Sequence, residues 1–93
     1  MAKLQISQSH NLTAEEAHQR IDSLNKELGE KYGLSSSWVS ETEAKVERTG
    51  AKGTITILPN LINVEIDLSF AMSPLKNTIE KRIREELEKL FKV

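Results

Sequence analysis

The sequence between residues 35 and 69 shows strand-like alternation and no helical periodicity. The clearest part is "LINVEIDLSF", where every second side chain is apolar and the intervening ones are polar. A period of two indicates a strand with one buried face, here carrying Ile62, Val64, Ile66, Leu68 and Phe70. Shorter strand patterns precede it in "SSSWVSE", "TEAKVERT" and "KGTITIL". Because no helix separates these four strands, the sequence predicts an antiparallel meander.

An amphipathic helix is predicted ahead of the meander, over residues 14–32. Thr13 followed by Glu16 is a capping box, and Gly33 occupies the position of a left-handed C-cap. The apolar residues between them recur at helical spacing and form one stripe. The members of this stripe are Ala14, Ala17, Ile21, Leu24, Leu28 and Tyr32.

A second helix is predicted in "SPLKNTIEKRIREELEKLFKV", with Ser73 as its N-cap and Pro74 in its first turn. Its apolar stripe is Leu75, Ile79, Ile83, Leu87 and Leu90. This stripe either packs in the core or docks on a hydrophobic surface. We favour the core, since two helices of about 10 Å diameter are needed to cover a five-stranded sheet.

The short pattern "KLQIS" adds a strand at the start of the chain, so the predicted order is β-α-β-β-β-β-α. One face of the sheet is apolar, and both helices are expected on it. The predicted fold class is therefore α+β, a single antiparallel sheet with two helices on one face. With 93 residues, the chain is expected to form one domain over residues 1–93.

Composition argues against several classes of function. The net charge of −1 provides no basic field for nucleic acid. The absence of cysteine excludes disulfides and zinc thiolate sites. No segment is apolar enough to span a membrane, and the N-terminus lacks the apolar core of a signal peptide. We expect a cytoplasmic protein that needs no cofactor.

The stretch Gly50-Ala51-Lys52-Gly53 matches the GxxG loop of one class of RNA-binding module. That loop joins two helices, whereas these residues lie between two strand patterns. We interpret them as a β-hairpin turn, in which glycine supplies positive φ.

Two groups of side chains are candidates for chemical sites. His18 and Asp22 share a helix face, but a metal site needs a further converging ligand, so we predict a surface histidine beside a carboxylate. Glu65 and Asp67 lie on one strand face and have the residue types of a glycosidase pair or a cation site. A solvent-facing sheet surface explains the same pattern, and we predict neither catalysis nor metal binding.

A small apolar cavity between helices and sheet is a further hypothesis, because a strongly twisted sheet leaves space beneath its helices. Such a cavity would bind an acyl-type ligand. Its expected lining is Trp38, Ile55, Val64, Ile66 and Leu87. A homodimer is also a hypothesis, because small domains often complete their core by association.

The chain resembles the polyhydroxyalkanoic acid system proteins, also called the polyhydroxyalkanoate granule region family. The resemblance runs from Leu4 to Phe91 and includes I-x-x-x-H-x-L at residues 6–12 and "KYGL" at residues 31–34, followed by Trp38. It continues through "VERTGAKGTI", "VEIDLSF" and "SPLKNTIEKRIREELEKLF". In the family, Arg48, Gly50, Lys52 and Gly53 fall in a recurrent hairpin. The "VSET" after Trp38 departs from the Gly or Asp of relatives.

The resemblance implies a bacterial protein of polyhydroxyalkanoate synthesis, with no catalytic residues to carry over. We therefore predict a non-enzymatic accessory or binding protein, whose partner is the storage granule surface or its proteins. The alternative is a small carrier that holds a hydrophobic acyl-type ligand between the helices and the sheet.

Overall fold

Five strands and two α-helices follow one another in the predicted order in the computed structural model, which describes residues 2–91. The strands are β1 (Ala2–Ser9), β2 (Ser35–Ser40), β3 (Glu43–Arg48), β4 (Ala51–Leu58) and β5 (Leu61–Leu68). The α-helices are α1 (Ala14–Tyr32) and α2 (Lys76–Leu90), and a 3₁₀ helix, Phe70–Leu75, precedes α2.

The strands form one antiparallel sheet in the order β1-β5-β4-β3-β2. The meander is thus formed by β2 to β5, and β1 pairs with the far edge of β5. Ile62, Val64 and Ile66 are at most 2% exposed, as their alternation predicts. The buried side chains of both helices join the same core cluster on this face. The α+β prediction, with two helices on one face, is confirmed.

The bounds of α1 agree with the prediction, and both of its ends are capped. The Thr13 side chain accepts a hydrogen bond from the Glu16 N–H at 3.2 Å. Gly33 ends the helix in the left-handed conformation, with φ 67°. The Arg20 guanidinium donates to the Leu90 carbonyl at the end of α2, so the two helices are also tied to each other.

The predicted start of the second helix is wrong. Ser73 is not its N-cap, because its N–H donates to the Ser69 carbonyl at 3.0 Å inside the 3₁₀ turn. The chain enters the 3₁₀ helix directly after β5, and Ser69 is the residue before its first turn. The stripe Ile79, Ile83 and Leu87 is buried in the core, so α2 is not a free docking helix.

Asn25 is a polar residue in the buried stripe of α1. It is 3% exposed, and neither its Nδ2 nor its Oδ1 has a hydrogen-bond partner among residues 2–91. A buried amide without partners costs about 1–3 kcal/mol in lost hydration. Asn is also a poorer helix former than Leu. The fold is therefore less stable with Asn25 than it would be with an apolar side chain at this position.

We expect Asn25→Leu to raise the free energy of unfolding by about 1–2 kcal/mol, because it removes the cost of burying the amide. Urea denaturation followed by circular dichroism measures this change. Lys26→Leu is the matched control, since Lys26 is the exposed neighbour on α1, and its effect should stay within about 0.5 kcal/mol. A loss of stability in Asn25→Leu would show that the amide makes essential polar contacts.

Candidate functional site

Apolar side chains are exposed where β5 runs into the 3₁₀ helix. None of the residues 70–75 is buried; Phe70 is 85% exposed and Leu75 is 47% exposed. We call Phe70, Leu75 and the cleft beside them the apolar end. The prediction that Phe70 lies on the buried face of the sheet is wrong, because β5 ends at Leu68 and the helical turn after Ser69 breaks the alternation.

The backbone of this segment is held by the hairpin between β3 and β4. The Ser69 N–H donates to the Gly50 carbonyl at 2.8 Å. Gly50 has φ 87°, and a Cβ at this position would lie 2.9 Å from Met72 Cγ. Glycine is therefore required both for the turn and for the close approach of the 3₁₀ helix. This contact fixes the position from which Phe70 projects.

The GxxG stretch lies in a β-hairpin, as predicted, because Arg48 pairs with Ala51 across a two-residue turn. Its two glycines serve different purposes. Gly50 supplies the positive φ. Gly53 lies within β4, paired with Val46 and Ile66, at a point where no side chain fits.

A half-open cleft of about 80 Å³ lies between the start of α2, the end of α1 and the sheet. Ala51 on β4 is part of its lining on the sheet side. Thr78 and Leu75 line its outer rim. The apolar wall includes Tyr32, Leu34, Ile66, Leu68, Met72 and Ile79.

Arg48 is the charged residue at this cleft. Its guanidinium donates a hydrogen bond to the Tyr32 carbonyl at the C-terminus of α1. A cation at this position compensates the unpaired carbonyls and the negative end of the helix dipole.

The five side chains predicted to line a cavity are distributed differently. Ile66 lines the cleft at the apolar end. Ile55, Val64 and Leu87 are at most 1% exposed and belong to the packed core. Trp38 is half-buried on β2. Binding of a ligand among these five residues stays a prediction.

His18 and Asp22 share a face of α1, and the structure places Trp38 against both. The rings of His18 and Trp38 stack with centroids 3.7 Å apart. Trp38 Nε1–H donates to Asp22 Oδ1 at 3.1 Å, and His18 Nδ1–H donates to the Glu41 carbonyl at 2.7 Å. These contacts anchor the edge strand β2 on α1. Within residues 2–91, no group of three or more His, Asp or Glu side chains is placed to hold a metal ion.

The acidic pair on β5 lies on the open face of the sheet among lysines. Asp67 pairs with Lys3 on one side and Lys52 on the other, and Glu47 is opposite Lys52. Glu65 forms an ion pair with Lys3 at 3.9 Å. Glu47 lines the same depression of the sheet surface as the acidic pair, separated from Asp67 by Lys52 on β4. Cross-strand charge alternation of this kind favours the sheet.

Two glutamates meet where α1 and α2 approach each other. Hydrogen bonding to the ammonium of Lys31, 2.7 Å away, lowers the pKa of Glu27. The pKa of Glu86 is raised because its carboxyl shares a hydrogen bond with the Glu27 carboxylate, and burial adds to this effect. Neither glutamate lines the cleft.

Sequence reasoning missed Arg48, Phe70 and Leu75 as site residues. Arg48 has the same parity as the buried residues of β3 and therefore lies on the face of the sheet that packs in the core. A charged residue on that face indicates a position at the edge of the core, where the charge can reach solvent. The run Phe70-Ala71-Met72 was another signal, since alternation had ended there. The exposure of these residues depends on where β5 stops, which alternation alone does not show.

The fold and the site together define a small α+β protein with a cluster of exposed apolar side chains at one end of the molecule. A family model described as "Putative polyhydroxyalkanoic acid system protein (PHA_gran_rgn)" matches residues 4–91. The chain belongs to this family.

Among solved structures, the chain is similar to the one titled "NMR structure of PA4090 from Pseudomonas aeruginosa". The TM-score is 0.65 at 10% sequence identity, and the alignment covers 100% of this chain and 88% of that chain. At this identity the likeness shows the fold alone. None of the curated proteins matches the chain. No helix within residues 2–91 has the length and apolar character needed to cross a membrane.

Proposed function

We propose that this chain is a non-enzymatic accessory protein of the polyhydroxyalkanoate system that attaches to the surface of the storage polyester in the cytoplasm. The link to the polyhydroxyalkanoate system rests on family membership. The observation that carries attachment is the 85% exposure of Phe70 in a segment with no buried residue. Exposed apolar surface of this kind marks interaction sites for hydrophobic partners.

The contact would be made by Phe70 and Leu75 together. The two side chains flank the 3₁₀ helix, which is pinned to Gly50 and therefore presents them without a large ordering cost. Burying an aromatic or leucine side chain contributes about 1.5–3 kcal/mol. A polyester surface is apolar and uncharged, which suits a chain with a net charge of −1.

A non-enzymatic role is supported by the surroundings of the acidic residues. Glu65 and Asp67 line a wide, open depression on the solvent-facing side of the sheet, and lysines pair with them on the neighbouring strands. Carboxylates that act as general acid or base are normally held in an enclosed cleft that excludes water. Charge alternation across the sheet accounts for these two residues without a reaction.

We expect the double variant Phe70→Ser, Leu75→Ser to bind isolated polyhydroxyalkanoate granules at least about tenfold more weakly, because about 1.4 kcal/mol of lost apolar contact gives that factor. Both side chains are exposed, so folding should be retained. Co-sedimentation of purified protein with granules over a concentration series measures the affinity. Attachment should also change little between low and high salt, since it is not ionic.

Val39→Ser is the matched control, because Val39 is a 57% exposed apolar residue on β2. Its affinity for granules should equal that of the unmodified protein. If the double variant sediments as well as the control, attachment through the apolar end is wrong. If the unmodified protein fails to sediment, granule attachment itself is wrong.

A further inference from the structure

The cleft at the apolar end combines an apolar interior with a cation at its mouth. Arg48 is the one charged side chain among the described residues that line it. A guanidinium carries five N–H donors, and its bond to the Tyr32 carbonyl uses one of them and sets the plane of the group. The interior of the cleft is therefore almost entirely apolar, and the positive charge lies outside it, on the exposed Arg48 at the mouth.

The size of the cleft limits what can enter. Its volume is about 80 Å³. A water molecule occupies about 30 Å³ of liquid, and a methylene group is similar, so about three methylene groups fit inside. Further carbons would lie along the exposed side chain of Leu75 at the rim.

We propose that this cleft binds a short aliphatic carboxylate of about four to six carbon atoms. The hydrocarbon chain contacts Ile66 and Met72, and the carboxylate accepts hydrogen bonds from Arg48. Guanidinium and carboxylate match in charge and in planar geometry, which favours a free acid over a neutral ester or alcohol. The cleft and Arg48 are needed, whereas Phe70 is not, so this inference does not depend on granule attachment.

The test is a titration of the ¹⁵N-labelled protein with hexanoate, with hexan-1-ol as the neutral comparison, followed by two-dimensional NMR. We expect saturable shifts at the amides of Ala51 and Thr78 with a Kd on the order of 1 mM for hexanoate. Hexan-1-ol should bind at least about tenfold more weakly, since it lacks the charge. Arg48→Gln should remove this preference and leave the affinity for hexan-1-ol unchanged.

Two further variants separate binding from structure. Thr78→Phe fills the rim from an exposed position and should abolish the saturable shifts with both ligands. Arg84→Gln changes an arginine on the polar side of α2, paired with Glu80, and should change neither affinity. The dispersion of each spectrum reports whether the variant is folded, which matters for Arg48 because of its bond to Tyr32.

Three results would overturn the proposal: no saturable shifts with hexanoate, equal affinity for acid and alcohol, or binding that persists in Thr78→Phe. Granule sedimentation of Arg48→Gln distinguishes this inference from the proposed function. That variant should sediment normally, because its exposed Phe70 and Leu75 are unchanged. If the unmodified protein does not bind hexanoate but still sediments with granules, the carboxylate ligand is wrong and the proposal of granule attachment is unaffected.

Discussion

Gly53→Ala should lower the free energy of unfolding by about 3 kcal/mol or prevent stable folding. A Cβ at this position would lie 2.7 Å from the Glu65 carbonyl oxygen, 2.7 Å from Ile66 Cγ1 and 3.0 Å from Val46 Cγ2. The backbone of β5 cannot move away without breaking its pairing with β4. Chemical denaturation of the purified variant measures the loss.

Gly33→Ala is the matched control for this prediction. Gly33 has φ 67°, and a Cβ added there would have no neighbouring atom within 4 Å, so the substitution costs only backbone strain. That strain is about 1–2 kcal/mol. If Gly53→Ala costs no more than Gly33→Ala, the close packing of β4 against its neighbours is not what requires glycine.

His10→Leu should lower the free energy of unfolding by about 2–4 kcal/mol, because it leaves two backbone groups without partners. The ring is 3% exposed. Its Nδ1 accepts from the Leu12 N–H at 3.1 Å, which requires the proton on Nε2. Nε2–H donates to the Leu58 carbonyl at 2.8 Å. The side chain thereby joins the start of α1 to the turn between β4 and β5.

His10→Asn separates the two hydrogen bonds. An Asn side chain accepts from the N–H two residues ahead in an Asx turn, so it can restore the bond to Leu12 but does not reach Leu58. We expect a loss about half that of His10→Leu, measured by thermal and urea denaturation. Equal losses in the two variants would show that ring packing against Phe91, at 5.7 Å, is the main contribution.

Neither Gly53 nor His10 lines the cleft at the apolar end. Their contacts are structural: Gly53 permits close strand pairing, and His10 satisfies buried backbone groups. Arg48, by contrast, combines a structural bond with a position at the cleft.

The site was much less predictable from the sequence than the fold was. Trp38 is one of the residues expected to line a cavity, and the structure stacks it on His18. Phe70 continues the pattern of every second residue set by Ile66 and Leu68, which predicts a buried side chain, but it is exposed. In both cases the chemistry of the residue is evident, while its surroundings depend on segments distant in the chain.

The sequence alone determined the elements of this protein and which face of each is buried. Alternation in β5, the stripe of α1 and the signals at Thr13 and Gly33 are local properties, because period and capping act over a few residues. Tertiary structure decided where β5 ends, and hence that Phe70 projects into solvent beside a cleft with Arg48 at its mouth. These outcomes depend on the Gly50 hairpin meeting Ser69, a contact between residues far apart in sequence, which no local pattern encodes.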